Sequence, residues 1–415
     1  MMKILWVKPG KLLPLDTGGK LRTYNILRHL SARHQLTYVS YYVGARDETY
    51  EREVFELFPG AVALHTGAST SPLGRYLDYS RRFLSGAPYA VSRFTAPQVH
   101  RLISPWISER RFDVAVCDFL ASALNFPGQL DTPTALFQHN VETILWQRRA
   151  EQETRWIDRV ISKIEYEKMR RFEPVQVRRF HHVIAVSDAD RAAMKSMVED
   201  SHISVVPTGV DLRQYHYDPN AAPPAPIVVF TGSMDWTPNI DGVEFFCKDI
   251  WPRVLEKVPE ARFRIVGREP HARVKKLASD SVEVTGSVPS IVDHLREAAV
   301  FVVPLRIGGG TRIKIYEAMA VGKATVSTTV GAEGLDVSHD RDILLVDDPL
   351  GFANAVASVL QQDGLRRRLE AAAAATAARY DWSVITEKFV EVLRTTIKAA
   401  GRSPTPVEST AMMQT

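Results

Sequence analysis

RIGGGTRIKIYEAMAVGKATVSTTVGAEG, residues Arg306–Gly334, follows directly on an apolar run, Val300 to Leu305, that reads as a buried strand. Three glycines, Gly308, Gly309 and Gly310, stand between that strand and a run of good helix formers, which ends at Gly322, a residue suited to a C-cap. Glycines ahead of a helix leave backbone N–H groups exposed, and the helix dipole adds partial positive charge. Together they make a site for an anion, most often a phosphate. Thr311, Arg312 and Lys314 add a hydroxyl and two cations in the first turn. Glu317 lies on the same face as Gly310, about 10 Å further along at a rise of ~1.5 Å per residue. That separation fits a nucleotide, with the pyrophosphate on the glycines and the ribose hydroxyls on Glu317. The same residues would also suit a capped helix on whose surface Lys314 and Glu317 pair at i, i+3.

Working upstream, IVVFTG (ending at Gly232), FRIVG, VEVTG and AVFVVPL alternate with helical stretches. Such alternation predicts a parallel sheet with helices on both faces. Downstream, Ile343 to Val346 reads as a last strand, and helices around Gly351 to Tyr380 close the sheet. Tyr380 to Ile397 has the apolar spacing of one further helix, with Ser383 as its cap, and the chain beyond Ala400 is Ser/Thr/Pro-rich and expected to be disordered.

The first half repeats the pattern. Lys3 to Val7 reads as a strand, a loop carries Gly18 and Gly19, and an amphipathic helix runs from about Lys20 to Arg33, before a second strand, Gln35 to Tyr42. No GxGxxG follows the first strand, so this is not a dinucleotide fingerprint. Asp113 to Asp118 and Thr134 to Gln138 are further strands, the second opening into His139–Glu142, HNVE. Asp188-Ala-Asp190 resembles a metal-binding DxD, but after a strand and behind Ser187 it reads as a helix N-terminus, so no metal is expected there. Ile203 to Val206 runs into Pro207–Asp211, PTGVD, and then NAAPPAP, the clearest boundary in the chain. The expected domains are therefore 1–207 and 208–380, both Rossmann-like and doubly wound α/β, with a C-terminal helix at 381–400 and a tail at 401–415.

Two stretches are basic. Arg75, Tyr76, Tyr79, Arg81, Arg82 and Phe83 mix cations with aromatics, and Leu145 to His182 reads as one long, charge-dense helical stretch with an excess of Lys and Arg. Mixed signs at helical spacing suit a solvated face, and the excess leaves room for an acidic membrane surface or an anionic acceptor. A net charge of +4 over 415 residues is too mild to imply nucleic acid. Two distant cysteines, Cys117 and Cys247, carry no metal spacing and suit a reducing cytoplasm. No apolar run approaches the ~18 residues of a membrane span, and MMKILWVKPG reads as a first strand rather than a signal peptide.

The segment GGGTRIKIYEAMAVGKATVSTTVGAEGL resembles the donor-site signature of retaining GT-B glycosyltransferases of the family 4 type. The resemblance implies two Rossmann-like domains across a deep cleft, with the C-terminal helix packing back on the first. It implies a nucleotide diphosphate-sugar donor, no metal or other cofactor, and a hydroxyl acceptor such as a lipid-linked glycan. The second acid of the family's motif, which holds the ribose, falls on Glu317. The first, which contacts the sugar, falls on Gly309, so that contact is missing. An Arg and a Lys that often grip the diphosphate at the end of the second domain's first strand are also absent from GSMDWTPN. The phosphate is then left to Arg312, Lys314, backbone amides and Arg306.

By the same resemblance Gly18 and Gly19 face the donor phosphate, while Gly232, Ser233, Arg268, Ser287 and Val288 border the donor. His139 donates to a sugar hydroxyl, and Glu142 contacts the acceptor. A hinge is expected near Pro207–Asp211. The expected activity is retaining sugar transfer in glycan, exopolysaccharide or glycolipid synthesis, in the cytoplasm or at the inner membrane face. A nucleotide-sugar 2-epimerase, for which Asp16, Asp118 and Glu142 are the candidate acids, or a catalytically idle nucleotide-sugar-binding subunit are the alternatives.

Overall fold

The computed structural model describes residues 1–67, 71–83, 85–153, 155–198, 202–220, 225–307 and 312–401. Gly308, Gly309, Gly310 and Thr311, and most of the Pro/Ala-rich boundary, lie outside them. The chain forms two compact units. One comprises Met1–Pro207 and the chain from Ile385; the other is Thr208–Val384.

The first unit holds a parallel sheet of β1 (Lys3–Pro9), β2 (Gln35–Tyr42), β3 (Val62–His65), β4 (Val114–Asp118), β5 (Thr134–Phe137), β6 (His182–Ala185) and β7 (Ile203–Val205), in the order β3-β2-β1-β4-β5-β6-β7. Ile4 to Val7 and Val114 to Cys117 are fully buried. Strands covered on both faces need continuous apolar runs rather than alternation, which is how these segments read. Trp6 stacks on Phe389 of the C-terminal helix (Trp382–Ala399) at 5.3 Å, and Phe137 meets the same ring edge-on at 5.2 Å. The helix is therefore part of the first unit's core. Its start is fixed by Asp381 rather than Ser383, since the Asp381 carboxylate accepts the Ser383 N–H at 2.8 Å.

Two expectations shift in this unit. The first helix is Gly18–Ser31, because Thr17 caps it by accepting from the Lys20 N–H, so Gly18 and Gly19 form its opening turn rather than the loop. The long charged stretch is two helices, Glu142–Gln152 and Trp156–Arg179, since Glu153 takes an extended conformation (ψ 125°). No Gly or Pro marks that break.

The second unit holds β8 (Ile227–Thr231), β9 (Arg262–Val266), β10 (Val282–Gly286), β11 (Val300–Val303), β12 (Ala324–Ser327) and β13 (Leu344–Leu345), parallel throughout, in the order β10-β9-β8-β11-β12-β13. From β8 the chain runs outward to β10 and then returns to β11 on the other side. In open α/β sheets, such a reversal leaves a crevice at the carboxyl ends of the two central strands, where ligands collect.

Candidate functional site

At that reversal in the second unit, three strand ends are drawn together. The Gly232 N–H donates to the Val266 carbonyl at 3.0 Å, and the Gly267 N–H to the Gly286 carbonyl at 3.2 Å. A Cβ on Gly267 would stand 1.6 Å from the Gly232 carbonyl oxygen, so only glycine permits this approach. Arg268 Nε donates to Ser233 Oγ at 3.0 Å, tying the ends of β8 and β9. Ser287 is exposed and Val288 half-buried just after β10.

The helix Ile313–Ala320, which follows β11, sends its side chains to the same place. Lys314 Nζ donates to Asn239 Oδ1 at 3.0 Å and lies 4.1 Å from the centre of the Phe230 ring. A Cβ on Gly232 would be 2.9 Å from that ammonium. Asn239 in turn donates to the Ser233 carbonyl at 2.8 Å. Burial pushes the Lys314 ammonium down to about 7, and the Arg312 charge adds to this against the opposing pull of Glu317. Arg312, the N-cap residue of the helix, is buried beside Trp236 at 5.8 Å. Glu317, one turn beyond Lys314, is held by the Tyr215 hydroxyl, and burial keeps its carboxyl above the usual range despite Tyr215 and Lys314. Lys314 and Glu317 are thus inward groups rather than a surface pair. Gly322 adopts φ 72° just past the helix, and a Cβ there would meet the Tyr217 ring at 2.0 Å. Arg306 is engaged elsewhere, gripping Asp241 through two nitrogens at 2.6 and 3.1 Å and lying over Phe245.

In the first unit, the carboxyl ends of β1, β4 and β5 surround a buried polar cluster centred on Asp118. Its carboxylate accepts from Trp6 Nε1 (3.0 Å), Thr23 Oγ1 (2.7 Å) and His139 Nε2 (2.6 Å). Arg22 Nη1 lies 2.7 Å from His139 Nδ1. A guanidinium only donates, so Nδ1 accepts and the imidazole proton sits on Nε2. Burial lowers the His139 pKa to about 4, with Asp118 opposing, so the ring is neutral. Both ring nitrogens are engaged, and the N–H expected to serve a sugar is given to Asp118. The ring also stacks on Phe119 at 3.8 Å, and a Cβ on Gly19 would collide with Phe119 at 2.7 Å. Asp118 is likewise fully committed, which removes it as an epimerase acid.

The DxD acids behave as helix-start residues: the Asp190 N–H donates to Ser187 Oγ at 3.1 Å, and the Asp190 charge acts on Arg22. Among the described residues no group of three or more His, Cys, Asp or Glu could hold a metal, and no helix is long and apolar enough to cross a membrane. Glu142 begins its helix beside the buried Glu173, which accepts from the Glu142 and Thr143 N–H groups and from Gln138 Nε2 at 2.7–3.0 Å. Burial, then the Glu173 charge, pushes Glu142 up to about 7.

Solved structures share this fold. Sucrose-phosphate synthase from Thermosynechococcus elongatus superposes over 96% of this chain and all of its own, with a TM-score of 0.67 at 15% identity. HepE from Anabaena, solved in complex with UDP-glucose, gives 0.60 at 14% identity, over 95% of this chain and all of its own. Residues 17–214 match the family model for glycosyltransferase family 4, and residues 225–362 match that for glycosyl transferases group 1. The chain belongs to the GT-B glycosyltransferases of the family 4 type.

One relative, the phosphatidyl-myo-inositol mannosyltransferase of Mycolicibacterium smegmatis, is 30% identical over 230 residues, which is 52% of this chain. The match spans 58% of that relative's length. Set against the GT-B donor-site pattern, Lys314 brings an ammonium from the following helix to the end of β8, where GSMDWTPN supplies no cation. Asn239, Tyr215 and Arg22 carry no signature of their own. Asn239 shows only as a polar residue one turn into the helix after β8, and Tyr215 only as an aromatic past PTGVD.

Proposed function

We propose that the chain transfers a sugar, with retention, from a nucleotide diphosphate-sugar to a hydroxyl of a glycolipid or glycan. The observation that carries this is the position of the Lys314 ammonium beside Gly232 and Asn239 at the end of β8, with the Tyr215-held Glu317 one turn further along the same helix. The diphosphate would lie against Lys314, Arg312 and the amides ahead of the helix, including Gly309, Gly310 and Thr311, with Glu317 on the ribose. Ser233, Arg268, Ser287 and Val288 would border the donor. Cations and oriented amides stabilise charge growing on the leaving diphosphate, so no metal or other cofactor is invoked. The leaving phosphate would take the acceptor's proton. His139, fixed by Asp118 and Arg22, is assigned a positioning part, and Glu142 a hydrogen bond to the acceptor. The named lipid substrate of the mycobacterial relative favours a lipid-borne acceptor, reached by peripheral contact at the inner membrane face.

A panel of nucleotide-sugars, followed by release of free nucleoside diphosphate with and without a lipid or polyol acceptor, tests this reading. Acceptor-dependent release that survives EDTA is expected. Isomerised sugar would make the chain an epimerase, and binding without turnover an idle subunit.

The Lys314 ammonium gives donor binding a distinct pH signature. In the empty site it is half-charged near pH 7, and a diphosphate stabilises the charged form and raises its pKa. Affinity should therefore be full below about pH 7 and fall as pH rises, by up to about tenfold per unit. Lys314→Gln should flatten this alkaline limb in calorimetric titrations and weaken binding about 10- to 100-fold. A wild-type profile retained in the variant would remove Lys314 from the phosphate site.

A further inference from the structure

The Trp156–Arg179 helix carries its polarity inverted for a helix packed on a protein. Near its start the buried side consists of Ser162 and Glu165, with Asp158 half-buried beside them. The opposite arc, about 140° wide at 3.6 residues per turn, carries Trp156, Ile157, Val160 and Ile161, which are 73%, 48%, 48% and 36% exposed. The inversion is locked from within. Glu165, 1% exposed, accepts the Tyr89 N–H at 2.6 Å and the Tyr79 hydroxyl at 3.5 Å. Rolling the helix to hide its apolar arc would pull that carboxylate away from both donors and break these bonds.

Two neighbours extend the face. The helix Pro72–Arg82 lies alongside in the same sense, with Tyr79 on Glu165 and Phe83 under Lys168, whose ammonium is 4.9 Å from the ring centre. One turn back toward Trp156 it exposes Tyr76 (68%) and Leu77 (48%). Along one edge of the apolar arc, Arg155, Arg159 and Lys163 recur every four residues and are all exposed. Arg155 is 3.5 Å from Asp158, a surface pair of little energy.

We infer that this face of the first unit seats on an anionic lipid bilayer, with Trp156, Ile157, Val160 and Ile161 at the headgroup–acyl boundary and the Arg155/Arg159/Lys163 stripe on lipid phosphates. An exposed apolar arc bordered by cations on long, flexible stems is the pattern that lies in such an interface. The charge selects acidic headgroups over neutral ones. The inference deepens the proposed lipid-borne acceptor, which rests on the donor site, but it is tested apart from it.

The test is sedimentation of the full chain with phosphatidylcholine vesicles, with and without phosphatidylglycerol. The chain should bind the mixed vesicles, release with salt, and bind the neutral ones poorly. Trp156→Ser/Val160→Ser should weaken binding at least about tenfold. Arg155→Gln/Arg159→Gln/Lys163→Gln should weaken it on the order of 100-fold and remove the salt dependence. Every replaced side chain is exposed, so thermal midpoints and donor binding should stay at wild-type values. Wild-type chain left in the supernatant, or variants that sediment like wild type, would overturn the inference. So would a wild-type dimer that the Trp156→Ser/Val160→Ser change converts to monomer without altering vesicle binding, since the face would then belong to a second copy. Loss of vesicle binding with donor turnover intact sinks only the docking face; loss of donor binding with vesicle binding intact sinks only the transferase reading.

Discussion

Glu317→Ala is expected to lower kcat/KM for the nucleotide-sugar about 100- to 10,000-fold, mainly through KM. Two ribose hydroxyls donating to one carboxylate are charge-assisted contacts of about 1.5–3 kcal/mol each. The side chain is half-buried and bonded to the Tyr215 hydroxyl, so its removal costs stability by only about 1 kcal/mol. Steady-state kinetics on a folded variant therefore report donor binding rather than collapse. Glu317→Gln, which keeps one acceptor, should fall between. The pH dependence supplies a second handle. Burial holds the Glu317 carboxyl above the usual range, so donor affinity should also decline as pH falls through that raised pKa. With the Lys314 limb above about 7, the profile should be bell-shaped, and Glu317→Ala should erase its acid side. Donor kinetics unchanged in this variant would defeat the assignment of the site.

Asp118→Asn should cost about 3–5 kcal/mol of stability, the usual penalty for breaking a buried ionic network from one side. The residue is fully buried and takes three donors, from Trp6, Thr23 and His139. An amide would present one of its own N–H groups to a donor. It would also leave Arg22 and Lys8, both buried, without the negative charge that raises their pKa values against desolvation. Denaturant and thermal unfolding are the measurements, with a midpoint lowered by about 10 °C. Burial pushes the Asp118 carboxyl up, but His139, Lys8 and Thr23 outweigh it and hold it below the usual range. A depressed carboxylate contributes stability that is present above its unfolded pKa of ~3.9 and lost as pH falls below it. The wild type should therefore show an acid limb that Asp118→Asn lacks. Equal stability of the two proteins would mean that the cluster is not the ionic network described.

Much of the fold lies open in the linear order of residues. Continuous apolar runs at Val300 to Leu305 and Ile4 to Val7 read as strands covered on both faces, and their alternation with helical stretches points to parallel sheets. Helix starts were less legible, because capping depends on a single side chain. Thr17 moved Gly18 and Gly19 into a helix, Asp381 displaced Ser383, and an extended Glu153 divided a charged run at a point where no Gly or Pro stands.

The site divides along the same line. Glu317, Lys314 and the glycine signature are consecutive along one loop and helix, so spacing alone placed them together. That Lys314 reaches Asn239, that Tyr215 holds Glu317, and that His139 donates its Nε2–H to Asp118 are contacts across 75, 102 and 21 residues, arising only where strand ends converge. The sequence by itself determined the alternating α/β order and the helix that carries Lys314 and Glu317, because both are local patterns of burial and backbone freedom. Only the tertiary structure decided which charges are buried, which are already partnered, and which apolar side chains on the Trp156–Arg179 helix face outward. Those depend on the partners that packing brings within a few ångströms, and no periodicity records them.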